Sequence, residues 1–178
     1  MESETGKSEA GGSEAGGSEA GGSAGRARRV LERATERGWS IVTAESCTGG
    51  QLASLLTDIE GASGAFERGF VVYSEVAKCE LLGLEQRRIT QCGVVSRETA
   101  IAMAEGALTH SHGDVAIGIT GFAGPAGPDD EPGLVHIACA TRSGETRHRE
   151  CHFGDIGRDP VRDRSVLIAL EMLDAAME

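Results

Sequence analysis

The sequence predicts an α/β domain with a mixed sheet and helices on both faces. Three observations point there. Short β-like runs alternate with helical periodicity through the first two thirds of the chain. Val115 to Thr120 is an apolar run without polar alternation, as in a strand covered on both faces. Two strand-like runs, Leu134–Thr141 and Thr146–Phe153, flank the turn Arg142-Ser143-Gly144-Glu145 and read as an antiparallel hairpin.

Taken in order, residues 1–24 read as a tail. Ser8-Glu9-Ala10-Gly11-Gly12 recurs from Ser13 and again from Ser18, and such a tract has nothing to bury that would offset the entropy of ordering it. Residues 25–178 form the domain, with order expected from about Arg26. Val30, Leu31 and Ala34 give a helix over 26–37 that stops at Gly38. Ser40 to Ala44 reads as a strand, followed by the turn Glu45-Ser46-Cys47-Thr48-Gly49-Gly50 and a helix carrying Leu52, Leu55 and Leu56. Gly69 to Tyr73 reads as a second strand, then a helical stretch with Ala77, Leu81 and Leu82. Ser96 is a helix N-cap, ahead of an apolar face of Ala100, Met103, Ala104, Ala107 and Leu108. Gly121 to Gly133, rich in Gly and Pro, is a loop. The last helix is expected to open with Asp159 as cap and Pro160 at its first position, and to pack through Val161, Leu167, Leu170 and Leu173.

Composition narrows the function classes. The formal charge is −11 over 178 residues. Residues 1–24 supply −4 of it (Glu2, Glu4, Glu9, Glu14 and Glu19 against Lys7), which leaves the domain acidic at −7. An acidic surface without a basic, aromatic-bearing stripe argues against nucleic acid. No apolar run approaches the roughly 20 residues of a bilayer span, and no signal-peptide order opens the chain, so a cytoplasmic setting without membrane attachment is expected. Cys47, Cys79, Cys92, Cys139 and Cys151 show no zinc spacing and are expected as reduced thiols. Asp129-Asp130-Glu131 reads as an acidic loop tip rather than a metal site.

Ligands of open α/β sheets gather beyond the carboxyl ends of the strands, which singles out loops 45–50, 73–78 and 120–128. In the first, Ser46 sits at a strand-to-helix turn where helix N–H groups and the dipole favour developing negative charge. Gly49 and Gly50 allow close approach to the backbone. Cys47 is a rival nucleophile, because a thiol at a helix N-terminus has a lowered pKa; adjacent side chains diverge, and residue physics leaves the two even. A serine needs a base. The histidines (His110, His112, His136, His148, His152) lie at a helix end or in the hairpin and lack an obvious acidic partner. Lys78 is the better candidate, since desolvation lowers a lysine's pKa, and Tyr73 stands near enough in sequence to relay a proton. Arg158 and Arg162, four apart at the start of the last helix, can share a face and hold a phosphate or polarise a carbonyl; pairing with Asp155, Asp159 or Asp163 is the ordinary alternative for these and for Arg164.

Several of these segments together carry a resemblance. Ala44-Glu45-Ser46-Cys47-Thr48-Gly49-Gly50, Val72-Tyr73-Ser74-x-x-Ala77-Lys78, Gly93-Val94-Val95-Ser96 before a helix ending Met103-Ala104-Glu105-Gly106, Thr120-Gly121-x-Ala123-Gly124-Pro125, and Arg158-x-x-x-Arg162 resemble the CinA C-terminal domain family, in order and spacing, across residues 27–178. The resemblance implies a three-layer α/β/α sandwich and a stand-alone nicotinamide-nucleotide amidohydrolase, which releases ammonia from nicotinamide mononucleotide in pyridine-nucleotide recycling. It implies Ser46 as nucleophile, Tyr73 and Lys78 as activating partners and Arg158 or Arg162 as a further catalytic group. It also implies substrate contacts from Glu45, Thr48, Gly49, Gly50, Ser74, Ser96, Thr120, Gly121 and Gly124, no metal or other cofactor, and a homo-oligomer of two or more copies. Two departures stand out: Glu75 replaces the family's usual Asn, where its carboxylate favours protonated Lys78, and the upstream nucleotide-processing domain of many members is lacking. The alternatives are a non-catalytic pyridine-nucleotide-binding module tied to competence or DNA damage, and a Cys47-dependent hydrolase.

Overall fold

The computed structural model describes residues 22–178 apart from 125, 126 and 129; the expected tail, Pro125 and Asp129 lie outside the described residues. Helix α1 (Ser23–Arg37) buries Ala27, Val30, Leu31 and Ala34 on one stripe and ends at Gly38, whose left-handed backbone lets its N–H reach the Ala34 and Thr35 carbonyls. It begins three residues ahead of the point that apolar spacing indicates, because the first turn of a helix needs no apolar face. Strand β1 (Ile41–Glu45) is buried along its whole length. Helix α2 (Gln51–Thr57) follows, then a single 3₁₀ turn at Ala62–Gly64 and strand β2 (Phe66–Val71). Three helices come next: α3 (Glu75–Leu82), α4 (Gln86–Cys92) and α5 (Arg97–Thr109). Strand β3 (Val115–Gly121), the hairpin β4 (Leu134–Thr141) and β5 (Thr146–His152), and helix α6 (Arg158–Ala176) complete the chain. No described helix is long and apolar enough to cross a membrane.

The sheet order is β2-β1-β3-β4-β5. The first three strands are parallel and the last two join antiparallel. Alternation of side chains divides the core into two layers. Ile41, Ile117, Ile119, Val135 and Ile137 pack with α1, α2 and α6. Val42, Ala44, Ala116, Ala138 and Ala140 pack with α3, α4 and α5. The second layer is thinner in side chains because α5 lies close to the sheet: a Cβ on Gly118 would strike the backbone of Ala100 and Ala104. The mixed sheet between two helical layers is the expected architecture.

Two local expectations are corrected, and one helix, α4, has no counterpart in the sequence reading. Strand β2 runs Phe66–Val71 rather than Gly69–Tyr73; as an edge strand it is half exposed, so its early Phe66-Glu67-Arg68 does not read as a strand and Tyr73 falls in the loop beyond. Helix α4 has one buried residue, Ile89, too few to show a period. Helix α6 takes Gly157 as N-cap, at φ 88°, with Arg158 as its first residue and Pro160 as its third. Proline suits that place as well, since no N–H of the first turn has a partner within the helix.

This topology concentrates loops at one edge. Three parallel strands deliver residues 46–50, 72–74 and 122–133 to their shared carboxyl end. Strand β5, twice reversed from β3, points the same way and delivers the start of α6 there.

Candidate active site

Ser46 follows directly on β1, and its N–H donates to the Ile119 carbonyl of β3 at 3.0 Å. That bond fixes the residue's place beyond the strand end. Its side chain turns to the α3 face of the sheet, where Lys78 lies. Lys78 sits on the first turn of α3, whose N-cap Ser74 accepts from the Ala77 N–H at 3.1 Å. Helical side chains lean toward their N-terminus, so this lysine reaches back under the strand ends. It is fully buried, at 0% exposure. Its Nζ lies 3.0 Å from Ser46 Oγ and donates to the Val72 carbonyl at 2.8 Å. Burial holds the Lys78 pKa below the ordinary lysine range, and Glu75 is the carboxylate that opposes the shift. In its neutral form the amine would keep one N–H on Val72 and offer its lone pair to the serine hydroxyl. The structure brings the two predicted residues Ser46 and Lys78 into contact, and no other side chain among the described residues hydrogen-bonds Ser46 Oγ.

Cys47 turns the other way. It is buried in the α1–α2–α6 core, and burial pushes its thiol up to about 12. The anticipated activation by a helix N-terminus fails because α2 starts four residues later and its first donors are occupied. Glu45 occupies them: its carboxylate accepts from the Leu52 N–H at 3.1 Å and the Ala53 N–H at 2.9 Å. Glu45 is fully buried, and its carboxylate is committed to capping α2. The N–H groups of Gly49 and Gln51 close the turn onto the Ser46 and Thr48 carbonyls, at 3.1 and 3.2 Å.

Tyr73 and Arg158 form a second pair, nearer solvent. Tyr73 is 64% exposed, and its hydroxyl accepts from Arg158 Nη2 at 3.1 Å. It makes no hydrogen bond to Ser46 or Lys78, so the anticipated relay is not formed in this arrangement. The other Arg158 nitrogen lies beside Gly124, where a Cβ would come within 3.1 Å; a side chain there would crowd the guanidinium. Arg162 does different work. Its Nε and Nη2 donate to the Thr48 carbonyl at 3.2 and 2.6 Å. Among the described residues, no ion pair includes Arg158, Arg162 or Arg164.

Of the remaining residues with anticipated substrate contacts, several are committed inside the fold. The Ser96 hydroxyl accepts from the Thr99 N–H at 3.1 Å and donates to the Gly93 carbonyl at 2.9 Å. The Thr120 hydroxyl donates to the Val94 carbonyl at 2.8 Å. Together they pin the Gly93–Val95 turn to the end of β3. Thr48 is buried, and its hydroxyl has no partner among the described residues. Gly121 ends β3 against β4, where a Cβ would meet the Leu134 carbonyl and Val135. Ser74, Gly49, Gly50 and Gly124 stay at the loop edge. Two hairpin histidines do have acidic neighbours, contrary to the sequence reading: His152 contacts Glu131 at 2.8 Å and Glu150 at 2.9 Å, and His136 lies 3.8 Å from Glu150 and 3.1 Å from His148. His136, His148 and His152 are on the hairpin, away from the Ser46 hydroxyl. A cavity of about 300 Å3 between α3, α4 and α5 and a larger groove between α1, α2 and α6 contain neither Ser46 nor Lys78.

The family model of the CinA C-terminal domain matches residues 24–177. The chain belongs to the CinA C-terminal domain family. It is 46% identical over 150 residues to the nicotinamide-nucleotide amidohydrolase PncC of Escherichia coli K12, covering 83% of this chain and 90% of that protein. It is 44% identical over 146 residues to a CinA-like protein of Syntrophobacter fumaroxidans, of which it covers 34%. In structure it resembles the competence/damage inducible protein CihA from Agrobacterium tumefaciens, with a TM-score of 0.85 and 44% identity over 88% of this chain and 96% of that one. The family's architecture and the one described above agree.

Proposed function

We propose that the chain is a nicotinamide-nucleotide amidohydrolase, converting nicotinamide mononucleotide to nicotinate mononucleotide and ammonia with Ser46 as its nucleophile. The observation that carries this reading is the 3.0 Å contact between Ser46 Oγ and the buried Lys78 Nζ, in a chain 46% identical to PncC. Serine chemistry needs a base in hydrogen-bond reach, and a desolvated amine supplies one.

The steps use these groups in turn. Neutral Lys78 takes the Ser46 proton as Oγ bonds to the carboxamide carbon. Negative charge on the carbonyl oxygen is met by N–H groups of the turn around Thr48 to Gly50. The Lys78 ammonium returns its proton to the amide nitrogen, the C–N bond breaks, and ammonia leaves a nicotinoyl ester on Ser46. Water attacks that ester with Lys78 again accepting a proton, and the acid departs as Ser46 regains its own. Arg158 and Tyr73, at the exposed side of the site, supply donors for the nucleotide phosphate, and Gly49, Gly50 and Gly124 leave room for it. The reading includes a cytoplasmic homo-oligomer, for which the exposed Val71, Val76, Leu81 and Ile156 supply apolar surface.

The test is ammonia release from nicotinamide mononucleotide by wild type and by Ser46→Ala, with mass spectrometry of the acid-quenched enzyme. Turnover should vanish in the folded variant, and a nicotinoyl adduct should map to Ser46. An adduct on any other residue refutes the assignment.

A further inference from the structure

Resting on the reading of Ser46 as nucleophile, we infer that Arg162 is a positioning residue that clamps the nucleophile loop and does not bind substrate. Residues 46–50 are a short turn with two glycines in the left-handed region, Gly49 at φ 63° and Gly50 at φ 92°. Glycine gives the turn its shape but little resistance to leaving it. What holds the loop is therefore a small set of contacts. At its start, the Ser46 N–H is tied to Ile119 at 3.0 Å. At its end, Glu45 caps the first turn of α2 through Leu52 and Ala53. Between these points Cys47 and Thr48 are buried, the Gly50 carbonyl accepts from the Ser54 N–H at 2.9 Å, and the link from the loop to α6 is the Thr48 carbonyl.

That carbonyl takes the Gln51 N–H at 3.2 Å and two N–H groups of one guanidinium, at 3.2 and 2.6 Å. A charged donor makes such bonds stronger than neutral ones, and the planar fork fixes direction as well as distance. Arg162 is half-buried, and the loop lies against it: a Cβ on Gly49 would stand 3.5 Å from Nη2. Arg158, one turn earlier on α6, is exposed and directed to Tyr73. The two arginines of one helix face are thus divided, one toward the open side of the site and one into the loop that carries Ser46. A loop free to shift by an ångström would break the contact with Lys78, and misplacement on that scale can cost on the order of a hundredfold in rate.

The experiment compares Arg162→Met, Arg162→Lys and wild type in three readouts: kcat and KM for nicotinamide mononucleotide, rescue by millimolar guanidinium, and native-state hydrogen exchange of the Gly49 and Gln51 amides. Arg162→Met should lower kcat about 10- to 100-fold with KM nearly unchanged, and loop exchange should accelerate about tenfold or more. Guanidinium should restore part of kcat, and Arg162→Lys should fall between the two. A raised KM at unchanged kcat overturns the inference and makes Arg162 a substrate ligand. Loop exchange at the wild-type rate overturns it as well. Amide exchange does not depend on the chemistry, so failure of the serine assignment is told apart: Ser46→Ala would then keep its turnover while the loop still loosens in Arg162→Met.

Discussion

Replacing Lys78 with methionine removes a titratable amine, and with it the proposed base, while keeping most of the volume. The amine is fully buried between Val72 O and Ser46 Oγ, so two effects follow. Loss of a positioned base should lower kcat by about 10²- to 10⁴-fold. The second effect is on stability. Burial lowers the Lys78 pKa from 10.5, so between the folded value and 10.5 the unfolded chain binds the proton and the folded chain does not. Stability attributable to this group therefore rises with pH through that window, is complete above it, and is lost as pH falls through the folded pKa. One proton contributes at most about 1.4 kcal/mol per pH unit, and Lys78→Met should delete that slope. Urea unfolding of both proteins at several pH values, referenced to each other, isolates the difference from every other titrating group. The same ionisation should shape catalysis, with kcat/KM rising along its acid limb as Lys78 loses its proton. A variant that retains more than about a tenth of wild-type kcat, or a stability difference flat across the window, would refute the buried-base reasoning.

Further outcomes follow from the same geometry. Glu75→Gln removes the carboxylate that favours the Lys78 ammonium, so the acid limb of kcat/KM should move to lower pH; an unmoved or raised limb counts against it. Cys47→Ala should leave kcat within about threefold while costing roughly 1–2 kcal/mol of core packing, and iodoacetamide should label exposed Cys92 before buried Cys47, as peptide mapping would show. Gly118→Ala drives a methyl into the α5 backbone and should cost about 3 kcal/mol; a thermal midpoint within a degree or two of wild type would contradict the close packing.

What the sequence disclosed depended on burial of whole faces. Val115–Thr120, buried on both sides, and the Ser96-capped helix, with its run of inward Ala and Met, read correctly because apolar residues outnumber alternatives there. Strand β2 lies at an edge and alternates incompletely, so its start was displaced. Helix α4 buries one side chain and left no period to find. Loop 46–50 was legible as a strand-to-helix turn, yet the direction of Ser46 and Cys47 was not, because parity across a strand end depends on where the strand stops. Contact between Ser46 and Lys78, 32 residues apart, follows from β1 and β2 lying parallel and adjacent, which no local pattern states. The separate tasks of Arg158 and Arg162 were equally hidden, since equal spacing on a helix face says nothing about what each fork meets.

Glu45 and Lys78 show how a buried charge declares its role. Both are fully buried, flank Ser46 on opposite faces of the sheet, and carry groups that are costly to desolvate. Glu45 meets two backbone N–H groups that α2 would otherwise leave unpaired, so its burial solves a structural problem and its removal should loosen the helix start. Lys78 meets one carbonyl and one hydroxyl, with no carboxylate in hydrogen-bond contact, and its charged form is disfavoured. A structural lysine would be paired or would reach solvent with its head group. An amine kept buried, short of partners and beside a hydroxyl is unfavourable for stability and useful for moving a proton. The fold tolerates that cost at Lys78 and avoids it at Glu45, and this asymmetry supports Lys78 as the proposed base and Glu45 as a helix cap.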